Sequence, residues 1–157
     1  MLNKEPSNSM VSKRQNIKYI SVSNVEVLLD QYFFGLWKTT DMKWQVVANE
    51  IIVSLELHVF HPKAGIWISR SGIGSCMIRQ KSGADLTDIG SKIKNGLEMD
   101  APHAKADAMK NAAKSLGKIF GRDLTRKDSE KGQYKPLIKN ANLAKLAAKK
   151  QQENEGK

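Results

Sequence analysis

Cysteine is almost absent from this 157-residue chain: Cys76 stands alone. One thiol excludes an intramolecular disulfide framework and a cysteine-built zinc site, and it suits a reducing compartment. No apolar run approaches the roughly 18 residues needed to span a bilayer, and no Trp/Phe face accompanies the lysines, so no membrane partner is expected. The opening stretch MLNKEPSNSMVSKRQ has no apolar signal core, which makes the cytoplasm the expected location. The phosphate-loop pattern Gly-x-x-x-x-Gly-Lys-[Ser/Thr] is missing as well; AAKSLGK at 112–118 falls in a helical pattern and lacks the glycines, so ATP is not expected. Histidine is scarce. His58 and His61 are three apart on or leaving a strand and point to opposite faces, and His103 is the remaining one, so no metal site is read. Glu50, Glu56, Asp85 and Asp88 form no pairing that supports catalysis. Neither catalytic residues nor a cofactor are expected, and the chain does not read as an enzyme.

What is abundant is positive charge. The formal net charge is +10, and the basic excess is concentrated in residues 1–18, 61–83, 101–125 and 126–157, separated by acidic stretches at 26–60 and 84–100. Blocks of one sign favour a polyanion partner, because scattered charge would serve solubility equally well. Nucleic acid is the expected polyanion.

The stretch DAPHAKADAMKNAAKSLGKIFGRDL, from Asp100 to Leu124, carries the strongest helical periodicity. At about 100° per residue, Ala104, Ala108, Ala112, Leu116 and Phe120 share one side, flanked by Met109, Ala113 and Ile119. Lys110, Lys114 and Lys118 fall opposite as a stripe with only Asp107 near them. Asp100 suits an N-cap, Pro102 a first turn and Gly121 the end.

Elsewhere the chain reads as a mixed α+β domain. Residues 1–16 are polar and expected to be disordered, with order beginning near Ile17. Val25, Leu28, Leu29, Tyr32 and Phe33 recur at helical spacing up to Gly35. After a turn at Ala48 to Glu50, the residues Ile51, Val53, Leu55, Leu57 and Val59 alternate with polar ones, which predicts a half-buried strand. HPKAG turns the chain and IWISRSGIG supplies a second strand; CMIRQ either extends it or follows a bulge at Gly72 and Gly74. Residues 81–100 are a polar connection with a short helix around Asp85 to Lys94. From Arg126 the composition shifts to an Ala/Lys-rich segment without a strong apolar face, either a marginal helix or disordered.

Further basic elements join the stripe: Lys13, Arg14 and Lys18 precede Tyr19, Arg70 sits in the second strand, and Arg79 with Lys81 closes the sheet region. Cations interleaved with an exposed ring suit single-stranded nucleic acid, since cations follow phosphates while a ring stacks on bases. Trp37, Trp44, Trp67, Phe33, Phe34, Phe60 and Phe120 read instead as core or subunit contacts.

From about Tyr19 to Lys131 the chain resembles the Rad-fifty-two type of single-strand annealing proteins, which includes the eukaryotic recombination mediator and phage relatives of the Sak type. The resemblance rests on YISVSNVEVLLDQYFFGLW, on VSLELHVF, on GIWISRSGIG with its Gly-x-Gly, and above all on KADAMKNAAKSLGKIFGRDL. It implies an annealing domain over residues 17–131, followed by a basic tail at 132–157. Its fold would be a small antiparallel sheet (a β-β-β-α core) packed on the long basic helix, with subunits joined into an oligomeric ring or helical filament. Such proteins bind single-stranded DNA and anneal complementary strands without ATP in recombination or repair, which here implies a phage or mobile-element role in a bacterial host cytoplasm. Tyr19 would lie against bases, Lys110 and Lys114 on the phosphate backbone, and Lys127 and Lys131 at a second, outer DNA site. Asn111 stands where many relatives carry a second consecutive basic residue. The implied partners are single-stranded DNA, the annealed duplex intermediate, further copies of the chain, and a recombinase, exonuclease or single-strand-binding protein.

Two other readings stay open. A double-stranded RNA-binding domain also has an α-β-β-β-α order and a Lys/Ala-rich second helix, although the polar connection of about 20 residues is long for that module. A structural RNA-associated protein fits the basic charge and tail alone. A nuclease ranks behind both.

Overall fold

The computed structural model describes residues 2–62, 64–85 and 87–126. Lys127, Lys131 and the tail at 132–157 lie outside the described residues.

The chain enters through a 3-10 turn at Asn8–Met10 and a hairpin of two short strands, β1 (Val11–Arg14) and β2 (Ile17–Ile20). Residues 8–14, expected to be disordered, are therefore built into the fold. Gln15 and Asn16 both take positive φ, 48° and 63°, the backbone that a tight two-residue hairpin requires. Leu2 also joins the body of the protein: its carbonyl accepts from the Ile119 N–H at 3.1 Å.

Helix α1 (Val22–Phe33) begins at Ser21, whose side chain accepts from the Asn24 N–H at 3.2 Å. It buries Val25, Leu28, Leu29 and Phe33, as its spacing predicts. Phe34 and Gly35 then turn left-handed at φ 57° and 71° and stop the helix. Trp37 opens the next strand, and its indole N–H donates to Asp30 Oδ1 at 2.7 Å, tying strand to helix.

Three antiparallel strands follow in the spatial order β3 (Trp37–Val47), β4 (Glu50–His61) and β5 (Ile66–Met77). In β4 every odd residue from Ile51 to Val59 is buried, the alternation anticipated for a half-covered strand. The strand from Trp37 to Val47 has a weaker pattern because most of it is exposed. The sheet's irregularity lies in β3, between Thr40 and Lys43, while β4 and β5 pair without a break from Glu50 to Met77. Gly72 and Gly74 thus mark no bulge. They let a helix approach: a Cβ on Gly72 would lie 2.7 Å from Ala112 N and collide with the Ala108 carbonyl oxygen, and one on Gly74 would lie 2.8 Å from the Asp107 carbonyl carbon.

That helix, α2 (Gly96–Lys114), presents Ala104, Ala108 and Ala112 to the sheet, and these and Ala113 are fully buried. Asn95, not Asp100, precedes its first turn, and Pro102 lies inside it. Asp100 is buried and turned to other work described below. The helix ends at Lys114 rather than at Gly121; a separate 3-10 turn at Lys118–Phe120 follows, so Lys118 leaves the helical stripe. Over its own length α2 carries three lysines and three carboxylates, so its charge is patterned rather than uniformly basic. Phe33 of α1 stacks on Phe120 with ring centroids 6.5 Å apart, closing the core at that end. The connection from 81 to 95 includes a 3-10 turn at Ile89–Ser91, and Gln80 Nε2, with its two hydrogens, lies 3.0–3.1 Å from three acceptors there, Asp85 O, Asp88 O and Ser91 Oγ. Among the described residues no helix is long and apolar enough to cross a membrane.

Gly74→Ala should destabilise the fold by about 1–3 kcal/mol, because the added methyl overpacks a backbone-to-backbone contact. Ser75→Ala, exposed on the neighbouring position, should stay within about 0.5 kcal/mol of wild type. Urea unfolding of both variants measures the difference.

Candidate nucleic-acid interface

The hairpin and α2 enclose a cleft of about 210 Å³. Lys18 and Tyr19 of β2 form one wall, Asp107, Lys110, Asn111 and Lys114 of α2 the other, and Val25, Phe120 and Gly121 lie at its base. Helical spacing places 107, 110, 111 and 114 on one face of α2, and the tight turn at Gln15 and Asn16 folds β2 alongside them. Four of the residues expected to touch nucleic acid from sequence are therefore brought together: Lys18, Tyr19, Lys110 and Lys114.

Their charges are arranged unevenly. Lys110 Nζ pairs with Asp107 and also sits 5.8 Å from the centroid of the Tyr19 ring, a cation–π distance. Among the described residues Lys114 Nζ meets only the neutral Asn111 Oδ1, at 3.2 Å. Lys13 stands directly opposite Lys18 in the hairpin. Like charges facing across a strand pair are destabilising, and an anion laid over the hairpin would relieve that repulsion. Arg14, exposed beside Lys13, adds to the same positive field. Asn111 has a second task, since its Nδ2 donates to the Ile73 carbonyl at 2.8 Å on the outer edge of β5. It fastens helix to strand where a further cation would have contributed charge.

The other candidates lie elsewhere. Arg70 is exposed on β5 and folds its guanidinium back onto the Ser69 carbonyl at 2.7 Å. Lys81 is exposed beyond the other end of that strand, its backbone N–H held by Ser91 O. Lys118 is ion-paired with Asp123 at 3.2 Å. Lys127 and Lys131 fall outside the described residues. Arg79 is structural: its Nε lies 3.0 Å from Asp100 Oδ1, and its backbone N–H donates to Asp100 Oδ2 at 2.8 Å. One buried carboxylate thereby fixes the start of α2 to the end of β5. Arg122 does comparable work at the far end of the helix, donating to the Lys114 and Ser115 carbonyls at 2.8 and 2.7 Å. Sequence periodicity gave no sign of either clamp, because each joins residues from different elements.

Cys76, half-buried on β5, has its thiol pushed above the ordinary range by desolvation, with Asp100, Asp107 and Glu50 acting in the same direction against Arg79. It stays protonated near neutrality and is a poor nucleophile.

A second concavity, of about 580 Å³, is apolar. It lies between the uncovered end of β3 and the start of α2, lined by Met42, Trp44, Ile51, Val53, Leu97, Ala101 and Pro102. Trp44 remains 64% exposed there, because α2 lies over β4 and β5 and leaves β3 bare.

The Arg79–Asp100 clamp gives Arg79 a structural role. Arg79→Ala should cost about 1–3 kcal/mol by removing the charged partner of a buried carboxylate, which keeps its bond from the residue-79 backbone N–H. Binding of nucleic acid by the fraction still folded should change little. Thermal unfolding together with binding measured well below the melting temperature checks both halves.

No protein-family model matches the chain, and no curated protein sequence matches it.

Proposed function

We propose that this chain binds single-stranded DNA in the cleft between β2 and α2 and anneals complementary strands without a nucleotide cofactor. The observation that carries this reading is that Lys18, Tyr19, Lys110 and Lys114 line one cleft, where the Tyr19 ring meets Lys110, while Lys13 and Lys18 pair on the other face of the hairpin. The lysines take successive phosphates while Tyr19, partly exposed and ordered by Lys110, offers a surface for a base. Cations on the backbone reduce the repulsion between two strands and leave base edges free for a complement. Base pairing then supplies the specificity, and the protein selects no sequence itself.

Self-association belongs to the same proposal. A single cleft spans few nucleotides, whereas copies placed side by side would join their clefts into a continuous basic rail, as a ring or helical filament. The bare end of β3 with Met42, Trp44 and Val46, and the open edge of β5 with Ile66, Trp67 and Ile73, supply the exposed apolar surface that such contacts need. A recombinase, exonuclease or single-strand-binding protein would recruit the assembly to recombining DNA in the cytoplasm, that of a bacterial host if the chain is phage-encoded.

One observation favours a second reading. The order α1, β3, β4, β5, α2 is also that of a double-stranded RNA-binding domain. The hairpin that supplies Lys18 and Tyr19 weighs for single strands, since stacking needs unpaired bases. Affinities for single-stranded DNA and duplex RNA of equal length, measured at matched salt, decide between them.

Pure protein should accelerate the annealing of complementary oligonucleotides equally with and without ATP; a rate no faster than spontaneous annealing contradicts the proposal. Tyr19→Ala should weaken single-strand binding by about 1–3 kcal/mol per stacked base, and Tyr19→Phe much less. Lys114→Gln should lower the magnitude of the salt slope by roughly 0.7, the contribution of one phosphate contact on a single strand. Asp107→Asn should strengthen binding by removing a carboxylate that competes with phosphate for Lys110. Fluorescence anisotropy across a salt series reads all three substitutions.

A further inference from the structure

We infer that Asp41, Glu56 and His58 form a divalent-metal site on the sheet face opposite α2. One ligand atom from each of these side chains lies within 4.8 Å of the other two. The grouping has a local cause. Between Thr40, which pairs with Glu56, and Lys43, which pairs with Ser54, β3 holds two residues where β4 holds one. Without the extra residue, Asp41 would oppose Leu55 and point toward the core. The bulge, with Asp41 at φ 51°, turns its carboxylate toward the face that Glu56 and His58 share by two-residue alternation.

Charge makes the cluster unusual in this molecule. In a chain of net charge +10, these two carboxylates converge on each other and on an imidazole, and among the described residues neither pairs with a lysine or arginine. Glu56 Oε2 lies 3.5 Å from His58 Nε2. The Thr40 hydroxyl lies 2.7 Å from the same nitrogen and 2.9 Å from Asp41 Oδ2, so it bridges the two outer ligands and can support Asp41 once Nε2 turns to a metal.

The donor set selects the metal class. One imidazole nitrogen and two carboxylate oxygens suit a first-row ion such as Zn²⁺ or Mn²⁺, whereas Mg²⁺ and Ca²⁺ prefer oxygen alone. Bonds of about 2.0–2.2 Å would draw the three donors somewhat closer together, which small rotations of the partly exposed Glu56 and Asp41 side chains accomplish. A bound ion would pin the bulge. Met42, the next residue, lines the apolar groove on the other side of the sheet, so the ion would also fix one wall of that groove. This inference is independent of the DNA reading.

The full-length chain, stripped with a chelator, is titrated with Zn²⁺, Mn²⁺ and Mg²⁺ by calorimetry and followed by thermal unfolding. The expected result is one Zn²⁺ or Mn²⁺ per chain, a melting temperature that rises with metal concentration, and markedly weaker Mg²⁺. His58→Ala and Asp41→Asn should each weaken binding at least tenfold, with circular dichroism showing an intact fold; His58→Gln repeats the test if the alanine variant unfolds. His103→Ala should bind as wild type. No saturable binding up to millimolar metal, binding that survives the His58 and Asp41 substitutions, binding lost with His103, or a preference for Mg²⁺ would overturn the assignment.

Discussion

The packing of an alanine face on a glycine pair sets the rest of the structure. Ala104, Ala108 and Ala112 on α2 meet Gly72 and Gly74 on β5 so closely that no Cβ fits between backbone and backbone. Small residues on both sides give up the bulk that usually fills a core. In return the helix lies flat on β4 and β5, and Asp107, Lys110, Asn111 and Lys114 come to stand beside the N-terminal hairpin. Moving the helix outward by the width of a methyl group would widen the cleft and break the Asn111 contact with Ile73. The two clamps at its ends, Asp100 to Arg79 and Arg122 to the last carbonyls, keep its position along the strand.

Positive charge in this chain is partly spent on holding the fold. Arg79, Arg122 and Lys118 each have a structural partner. Lys110 is shared between Asp107 and the Tyr19 ring. Among the described residues Lys114, which lines the cleft, is paired with no carboxylate, and outside it Lys13 faces Lys18 across the hairpin. Like charges facing each other are costly in the free protein, and an anion would relieve that cost. On the proposed reading, the lysines are aligned because each of them serves the same strand.

Much of the fold was legible in the sequence wherever one element carried its own signal. The alternation from Ile51 to Val59, the spacing of Val25, Leu28, Leu29 and Phe33, and the alanine stripe of α2 all reappear as buried faces. Misreadings arose where a residue's role is set by a partner far along the chain. Asp100 reads as a cap at the start of the periodic stretch, with Pro102 in the first turn; it is a buried anchor for residue 79, and the helix begins four residues before it. Gly72 and Gly74 suggested a bulge, since their requirement comes from a helix more than thirty residues away. The hairpin at Val11–Ile20 carries little sequence signal, because its turn residues are Gln15 and Asn16, without the glycine that usually announces such a turn. In the cleft, Lys18, Tyr19, Lys110 and Lys114 were recognisable as residue types. Their convergence depends on the hairpin, and with it so did the separation of Arg70, Arg79 and Lys81 from them.

Covalent mapping of the bound strand tests the central claim most directly. Photocrosslinking of single-stranded DNA carrying 5-iodouracil, followed by mass spectrometry of the digested protein, reports which side chains lie against bases. The account predicts adducts on Tyr19 and on peptides from the 107–114 face of α2. Adducts confined to the outer sheet face around Arg70, or to residues beyond 126, with none in the cleft, would contradict it.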